Sequence, residues 1–306
     1  MVSILIGIFS YNEGENLLRT VEAIIKQTEG IEREILLLDE SIDHESIEIV
    51  QRVVSKYGLT TMKKGKERKG KAAALNTLYD YFLHSSHSAM LHFDSDLILE
   101  EDLISNLVKA IREGMDLVTG ISIPLDGRNM IEKSLSMIAQ IFDTSNMGLK
   151  SNLPLVGHFG SYSRRAVHAI YPIKERTMED FYVLEKAFNK GLSMAVVSDC
   201  VCYFRLPDNI NDLISNIRRN SGAEKRLLSE SISEEKNQEV LNIYYALHEI
   251  TLNKPYIKKV LPVIARNPLY LALIPWLLLI RIFIGRFSVE YTSPILNTIP
   301  SSKKLR

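Results

Sequence analysis

The stretch Ala89–Leu97, AMLHFDSDL, is the point from which the rest of the chain can be read. Its apolar start has the composition of a buried strand, and its end carries Asp94 and Asp96, two carboxylates one residue apart. On an extended backbone positions i and i+2 face the same side, so both acids can address one cation, or share a site in a turn. A hard divalent ion that keeps water and substrate phosphate in its shell needs only one or two protein carboxylates. A solvated turn after a strand is the competing reading of an isolated D-x-D, so the surrounding chain has to decide.

Upstream of this stretch, short apolar runs alternate with helical patterns, the signature of βα units on a mainly parallel sheet. Strands are expected over Ser3–Phe9, Glu34–Asp39 and Leu59–Met62, and helices near Glu15–Gln27, His44–Tyr57 and Ala72–His84. Downstream, a helix near Glu101–Glu113 and a strand over Asp116–Ile123 continue the pattern. The carboxyl ends of the strands carry SYNE, DESID and DSD in turn, and ligands of open α/β sheets bind at that edge. Further on, Asn129–Asp143 shows Met130, Ile131, Leu135, Ile138 and Phe142 at helical spacing, read as a core stripe. The glycines of VGHFGSYSRR suit a strand or loop whose backbone approaches a ligand; His158 within it reads first as a structural histidine, with contact to an acceptor as the alternative. Glu179 and Asp180 open a helix, where capping and dipole stabilisation compete with a chemical role. A strand over Ser193–Phe204 and helices near Ile210–Ser229 and Glu234–Leu252 follow.

The chain has 306 residues and a formal net charge of zero, which excludes a generally basic nucleic-acid binder. That zero hides an asymmetry: from Asn253 onward nine lysines and arginines face one acid, Glu290. The same tail holds an apolar run over Leu269–Ile280, interrupted by Pro275 and followed by Arg281 and Arg286. A spanning helix needs about 20 apolar residues, so attachment to a membrane surface is expected over a clean crossing, with a packed C-terminal helix as the soluble alternative. Two cysteines, Cys200 and Cys202, are too few for a disulfide framework or a four-ligand zinc site and read as reduced core residues. The apolar N-terminal run has no charged region before it and stops at Ser10, so no secretory signal is expected.

Gly65–Lys71 satisfies G-x-x-x-x-G-K, but Ala72 stands where a phosphate-binding loop needs a hydroxyl, and that reading fails. A basic loop opening a helix can still neutralise a phosphate through Arg68, Lys71 and backbone amides; a solvated loop is the alternative.

The order SYNEGEN, LLLDESID, RKGKAAALN, HFDSD and MEDF resembles the family 2 inverting glycosyltransferases over about residues 2 to 230. The resemblance implies a GT-A type α/β fold, a mainly parallel central sheet flanked by helices, as a catalytic domain over 1–230. Residues 231–306 would be a helical, basic and apolar membrane-associating region. It implies that Tyr11, Asn12 and Glu13 lie beside the nucleotide, and that Asp39, Ser41 and Asp43 form the base-recognition turn. Lys71 and Asn76 would lie near the diphosphate, Asp94 and Asp96 would hold Mn2+ or Mg2+ with Asp94 also meeting the donor, and Arg218 and Arg219 would close over the leaving group. Asp180, paired with Glu179, corresponds to the general base. Leu38 stands where many relatives carry another Asp, which leaves the base of the donor open, with UDP-sugars favoured over GDP-sugars. The Q-x-x-R-W signature of processive synthases is absent, since residues 216–220 read NIRRN.

The expectation is therefore a metal-dependent, inverting, non-processive glycosyltransferase on the cytoplasmic face of a membrane. It would move a sugar from a nucleotide-diphosphate donor to a lipid-linked or glycan acceptor. The alternatives are a polyprenyl-phosphate sugar transferase and a non-catalytic membrane-bound sugar-nucleotide binding protein.

Overall fold

The computed structural model describes residues 3–63, 70–137, 139, 156–174 and 178–218. Most of the basic loop, including Arg68, together with Ile138, Phe142, Arg219, the boundary expected at 230 and the whole basic tail lie outside the described residues. Among the described residues no helix is long and apolar enough to cross a membrane. They fall into two compact units, one drawn from 3–123 and 156–204, the other beginning at Pro124 and again at Arg205.

The first unit is a mixed eight-stranded sheet between two layers of helices. Its strands are β1 (Ile4–Ser10), β2 (Arg33–Asp39), β3 (Thr60–Lys63), β4 (Ala89–Asp94), β5 (Ile98–Leu99), β6 (Leu117–Pro124), β7 (Phe159–Ser163) and β8 (Met194–Phe204), in the order β3-β2-β1-β4-β7-β6-β8-β5. The pairs β1–β2, β1–β4 and β2–β3 are parallel, as the βα pattern requires; β4–β7, β6–β7 and β5–β8 are antiparallel. The mainly parallel expectation thus describes the half of the sheet on one side of β4, and β7 turns the sheet antiparallel beyond it. Neither the two-residue β5 nor the seven-residue helix Arg164–Ile170 was foreseen, because elements so short carry no period.

Strand β1 is free of polar side chains from Ile4 to Phe9 because both its faces are covered: Ile4, Leu5, Ile6 and Ile8 are all fully buried. Ile4, Ile6 and Ile8 pack with Leu37, Leu91 and Phe93 under α1 (Glu15–Gln27), α2 (His44–Tyr57) and α4 (Leu103–Arg112). Leu5 packs on the opposite face with Leu36, Leu38 and Met90 under α3 (Lys71–His84), α6 (Arg164–Ile170) and α7 (Glu179–Asn189). Gly7 lets α3 approach β1, since a Cβ there would lie 2.4 Å from a methyl of Leu78. Cys200 and Cys202 are free thiols in this core, as expected.

In the second unit a helix, α5, is described over 130–137, and another, α8, over 210–218. Within the described part of α5 the apolar stripe read from the sequence is not the most buried face: Met130 is 56% exposed and Ile131 and Leu135 are half-buried, whereas Glu132 and Ser134 are fully buried. The reason is electrostatic. Glu132 accepts hydrogen bonds from the backbone N–H and Nε of Arg128 at 2.8 and 3.1 Å, and Arg205 Nη1 lies 3.3 Å from its other oxygen. A buried carboxylate with two guanidinium partners rotates the helix away from the orientation that hydrophobicity alone favours.

Candidate active site

Register brings three strand ends to one edge: Ser10 lies opposite Asp39, and Phe9 opposite Asp94. The loops that follow these residues therefore converge at the carboxyl edge of the parallel strands, where such sheets bind ligands.

On the β2 side the loops form a tight polar turn. Ser41 donates its hydroxyl to Asp39 Oδ1 at 2.6 Å and accepts from the Asn12 backbone N–H at 2.9 Å. Asn12 takes a left-handed backbone conformation with φ 53°, and its side-chain oxygen accepts from the N–H groups of Ile42 and Asp43 at 2.8 and 3.3 Å. Asp43 caps α2 by accepting from Ser46 N–H at 2.8 Å. In this arrangement Asn12, Ser41 and Asp43 build the turn, and Asp39 forms its buried floor. Tyr11 and Glu13, half-buried, flank Asn12 in the same loop.

At the β4 side the site is a cluster of charges. Asp94 ends β4, and Asp96 follows in the turn; its neighbour Ser95 is pinned by a hydrogen bond from its N–H to Phe9 O at 3.1 Å. Lys71, the first residue of α3, donates to Asp94 Oδ1 at 2.6 Å and also to the carbonyl of Gly157. His158 Nδ1 lies 3.5 Å from Asp94 Oδ2, and its ring stacks on Phe204 with centroids 4.4 Å apart. Glu179 and Asp180, in the first turn of α7, complete the cluster. Asp180 Oδ1 accepts from Phe181 N–H at 2.8 Å, and a Cβ placed on Gly157 would lie 3.4 Å from its Oδ2.

The electrostatics follow from burial and sign. Burial opposes the charge of Asp94, but Lys71 and His158 outweigh it and hold the carboxyl down at about 2. Burial likewise opposes the charge of Lys71, and the facing Asp94, Glu179 and Asp180 outweigh it, so its pKa stays raised. Asp96 is pushed up by burial and by the charge of Asp94. Glu179 is pushed up to about 7, by burial first and by Asp180 as well, against the pull of Lys71.

Asp94 and Asp96 offer carboxylate oxygen alone, the donor chemistry of a hard divalent cation, with Lys71 and His158 facing the two oxygens of Asp94 here. Among the described residues no group of three or more His, Cys, Asp and Glu comes together as a metal cage. Two protein carboxylates are enough for a cation that keeps water and substrate phosphate in its shell.

Of the residues expected from the sequence, the structure brings Lys71, Asp94, Asp96, Glu179 and Asp180 into one cluster and Asn12, Ser41 and Asp39 into the adjoining turn. Asn76 is engaged elsewhere: its amide donates to Ile173 O and accepts from Ile173 N–H, each at 2.7 Å, which fixes the 171–174 segment against α3. Arg218 closes the described part of α8 in the second unit. Sequence reasoning read the glycines of VGHFGSYSRR as a close backbone approach and His158 first as structural, and it passed over Phe204. The glycine-flanked histidine was the available signal, but its contact with Asp94 depends on β7 pairing with β4.

Two family descriptions match the chain: Glycosyl transferase family 2 over residues 5–171, and Glycosyl transferase family group 2 over residues 89–284. A dolichol-phosphate mannosyltransferase of Pyrococcus furiosus is 27% identical over 140 residues, 43% of this chain and 39% of that enzyme, so the match spans well under half of the relative. Among solved structures, a mannosyltransferase from Pyrobaculum calidifontis in complex with GDP-Man and Mn2+ is similar, with a TM-score of 0.58 at 15% identity, covering 94% of this chain and 83% of that one. Glucosyl-3-phosphoglycerate synthase from Mycobacterium tuberculosis, with Mn2+ and UDP, gives a TM-score of 0.53 at 19% identity over 74% of this chain and 79% of that one. These likenesses bear on the fold, which is of the GT-A type. The carboxylate cluster at the sheet edge, the strand order that builds it and a family match running from β1 to α6 lead to one conclusion: the chain belongs to glycosyl transferase family 2.

Proposed function

We propose that the protein transfers a sugar from a nucleotide-diphosphate donor to an acceptor hydroxyl, with inversion and one sugar per encounter. The observation that carries this reading is Lys71, held between the Asp94 carboxylate and the charges of Glu179 and Asp180. One ammonium group thus joins the part of the site suited to phosphate with the part suited to proton transfer.

The turn at Asp39–Ser41 receives the base, and Tyr11 and Glu13 adjoin it. A divalent cation held by Asp94 and Asp96 would neutralise charge on the leaving diphosphate. Lys71 adds a fixed positive charge beside it, where charge grows as the bond breaks. Asp180 accepts the acceptor proton while the acceptor oxygen bonds to the anomeric carbon and the carbon–oxygen bond to the diphosphate breaks. Displacement in line from the opposite face inverts the anomeric centre. Glu179 tunes the charge beside Asp180. The basic, apolar tail beyond 253 supports a membrane-presented acceptor on a cytoplasmic membrane face, because a tethered enzyme searches the same surface as its substrate.

The test is incubation with GDP-mannose and UDP-glucose, with Mn2+ or Mg2+, against octyl mannoside, octyl glucoside and dolichyl phosphate, reading nucleotide release and the anomeric configuration of the product. Stereochemical inversion on a hydroxyl acceptor is the expected result; no consumption of either donor with any acceptor would falsify the reading. A second reading, transfer to a polyprenyl phosphate, is favoured by the similarity to the dolichol-phosphate mannosyltransferase. There the nucleophile is already anionic, so an Asp180→Asn variant that still glycosylates dolichyl phosphate would replace the first reading with the second.

A further inference from the structure

Among the described residues nothing requires residue 157 to be glycine. Its backbone lies outside the left-handed region that favours glycine. Packing does not demand it either: among the described residues, a Cβ at 157 would meet only Asp180 Oδ2 within 4 Å, at 3.4 Å, an ordinary contact. Other glycines of the sheet differ sharply. A Cβ at Gly120 would lie 1.9 Å from the carbonyl oxygen of Cys200, and one at Gly160 would lie 2.6 Å from Val156. Those two are glycine because their neighbours are too close, whereas among the described residues what an added Cβ at 157 meets is the Asp180 carboxylate.

The segment carrying Gly157 is fastened residue by residue. His92 Nε2 pairs with Val156 O at 3.1 Å, Lys71 donates to Gly157 O, and the Asp94 N–H donates to His158 O at 2.9 Å. His92 is fully buried, so its contact with Val156 O is shielded from water. With three consecutive carbonyls held, the segment cannot retreat from an added side chain. A methyl group at 157 would stay where it was built, against the oxygen that the acceptor must reach.

We infer that Gly157 is a specificity-determining residue: its bare Cα keeps the approach to Asp180 Oδ2 open and sets how much bulk the hydroxyl-bearing carbon of the acceptor can carry. The inference rests on the reading of Asp180 as the base. Water, the smallest acceptor, passes a methyl group that a sugar or alkyl hydroxyl does not. Gly157 therefore controls the partition of the donor sugar between transfer and hydrolysis.

The experiment compares wild type with Gly157→Ala and Gly157→Val, using the donor that the wild type consumes and the octyl glycoside that it glycosylates, and measures product against free sugar. Thermal unfolding and calorimetric binding of the nucleoside diphosphate accompany each variant. The expected result is a transfer-to-hydrolysis ratio lowered by about tenfold or more in Gly157→Ala and further in Gly157→Val, the scale on which one methylene discriminates in a pocket. Damage to folding or to the base lowers transfer and hydrolysis together and leaves the ratio where it was. An unchanged ratio in Gly157→Ala, whose methyl has room, overturns the inference even if Gly157→Val fails to fold. A wild type that consumes neither donor overturns the proposed function and this inference with it; a working wild type with a flat Gly157 series overturns this inference alone.

Discussion

Lys71 Nζ lies 2.6 Å from Asp94 Oδ1, joining the first residue of α3 to the last residue of β4. The two side chains are 15% and 23% exposed, so the pair is partly screened from water. Removing the ammonium leaves Asp94, Glu179 and Asp180 to repel one another. Lys71→Met is expected to destabilise the protein by about 1–3 kcal/mol at neutral pH, below the cost of breaking a fully buried pair. The sign with pH follows from Asp94, whose folded pKa of about 2 is below its ordinary 3.8. Its contribution is present above the ordinary value and lost as pH falls through the folded one, so wild type and variant converge on acidification. Urea unfolding across that range checks both points, and Mn2+ should restore more stability to the variant than to the wild type.

Asp180 stands in the first turn of α7, where an acid is favoured by the helix dipole whether or not it does chemistry. Asp180→Asn keeps shape and hydrogen bonding and removes the proton acceptor. Transfer to a hydroxyl acceptor should fall by about 10²–10⁴ while binding of the nucleoside diphosphate persists. Calorimetry beside a turnover assay separates the two, and joint loss of binding and turnover would refute the assignment of Asp180 as base.

Glu179 is raised from its ordinary 4.5 to about 7 by burial and Asp180. A carboxyl with a raised folded pKa binds more protons folded than unfolded across that interval, so it lowers stability progressively as pH rises through it. Glu179→Gln removes this cost. Its melting temperature should depend less on pH between those values, and should exceed that of the wild type once pH passes the upper one. Scanning calorimetry at several pH values reads the difference.

Cys200 and Cys202 are fully buried, and burial pushes both thiols up to about 12. Alkylation requires thiolate and access, and the folded protein offers neither. Intact mass after iodoacetamide treatment should show no adduct on the native protein and two on the unfolded one.

Asn12 combines a left-handed backbone with a side-chain oxygen shared between two backbone N–H groups. Asn12→Ala leaves those donors without their partner in a conformation that alanine disfavours, with an expected loss of about 2–3 kcal/mol. Asn12→Gly relieves only the backbone part, so its stability in urea should fall between alanine and wild type. Nucleotide affinity should weaken in both, because the Asp39–Ser41 turn loses its brace.

Much of this architecture was legible in the chain itself. The uninterrupted apolar run of β1 announced a strand buried on both faces, and the repeated strand–helix alternation announced parallel neighbours. Acids at the ends of β2 and β4 marked the edge where they meet. These features are local: periodicity and the residue types at element ends depend on near neighbours in sequence. The α5 stripe shows the limit, since Met130, Ile131 and Leu135 have helical spacing while the buried face is set by Glu132 and its arginine partners.

The amino-acid sequence by itself determined the α/β class, the polar strand ends and the residue types from which a site could be built. Only the tertiary structure decided that β7 pairs antiparallel with β4, which sets His158 against Asp94, Gly157 against Asp180 and the Gly157 carbonyl against Lys71. The physical reason is that an apolar strand records its need for burial but not its neighbour. Side chains distant in sequence meet only when strand order, register and helix packing are settled together.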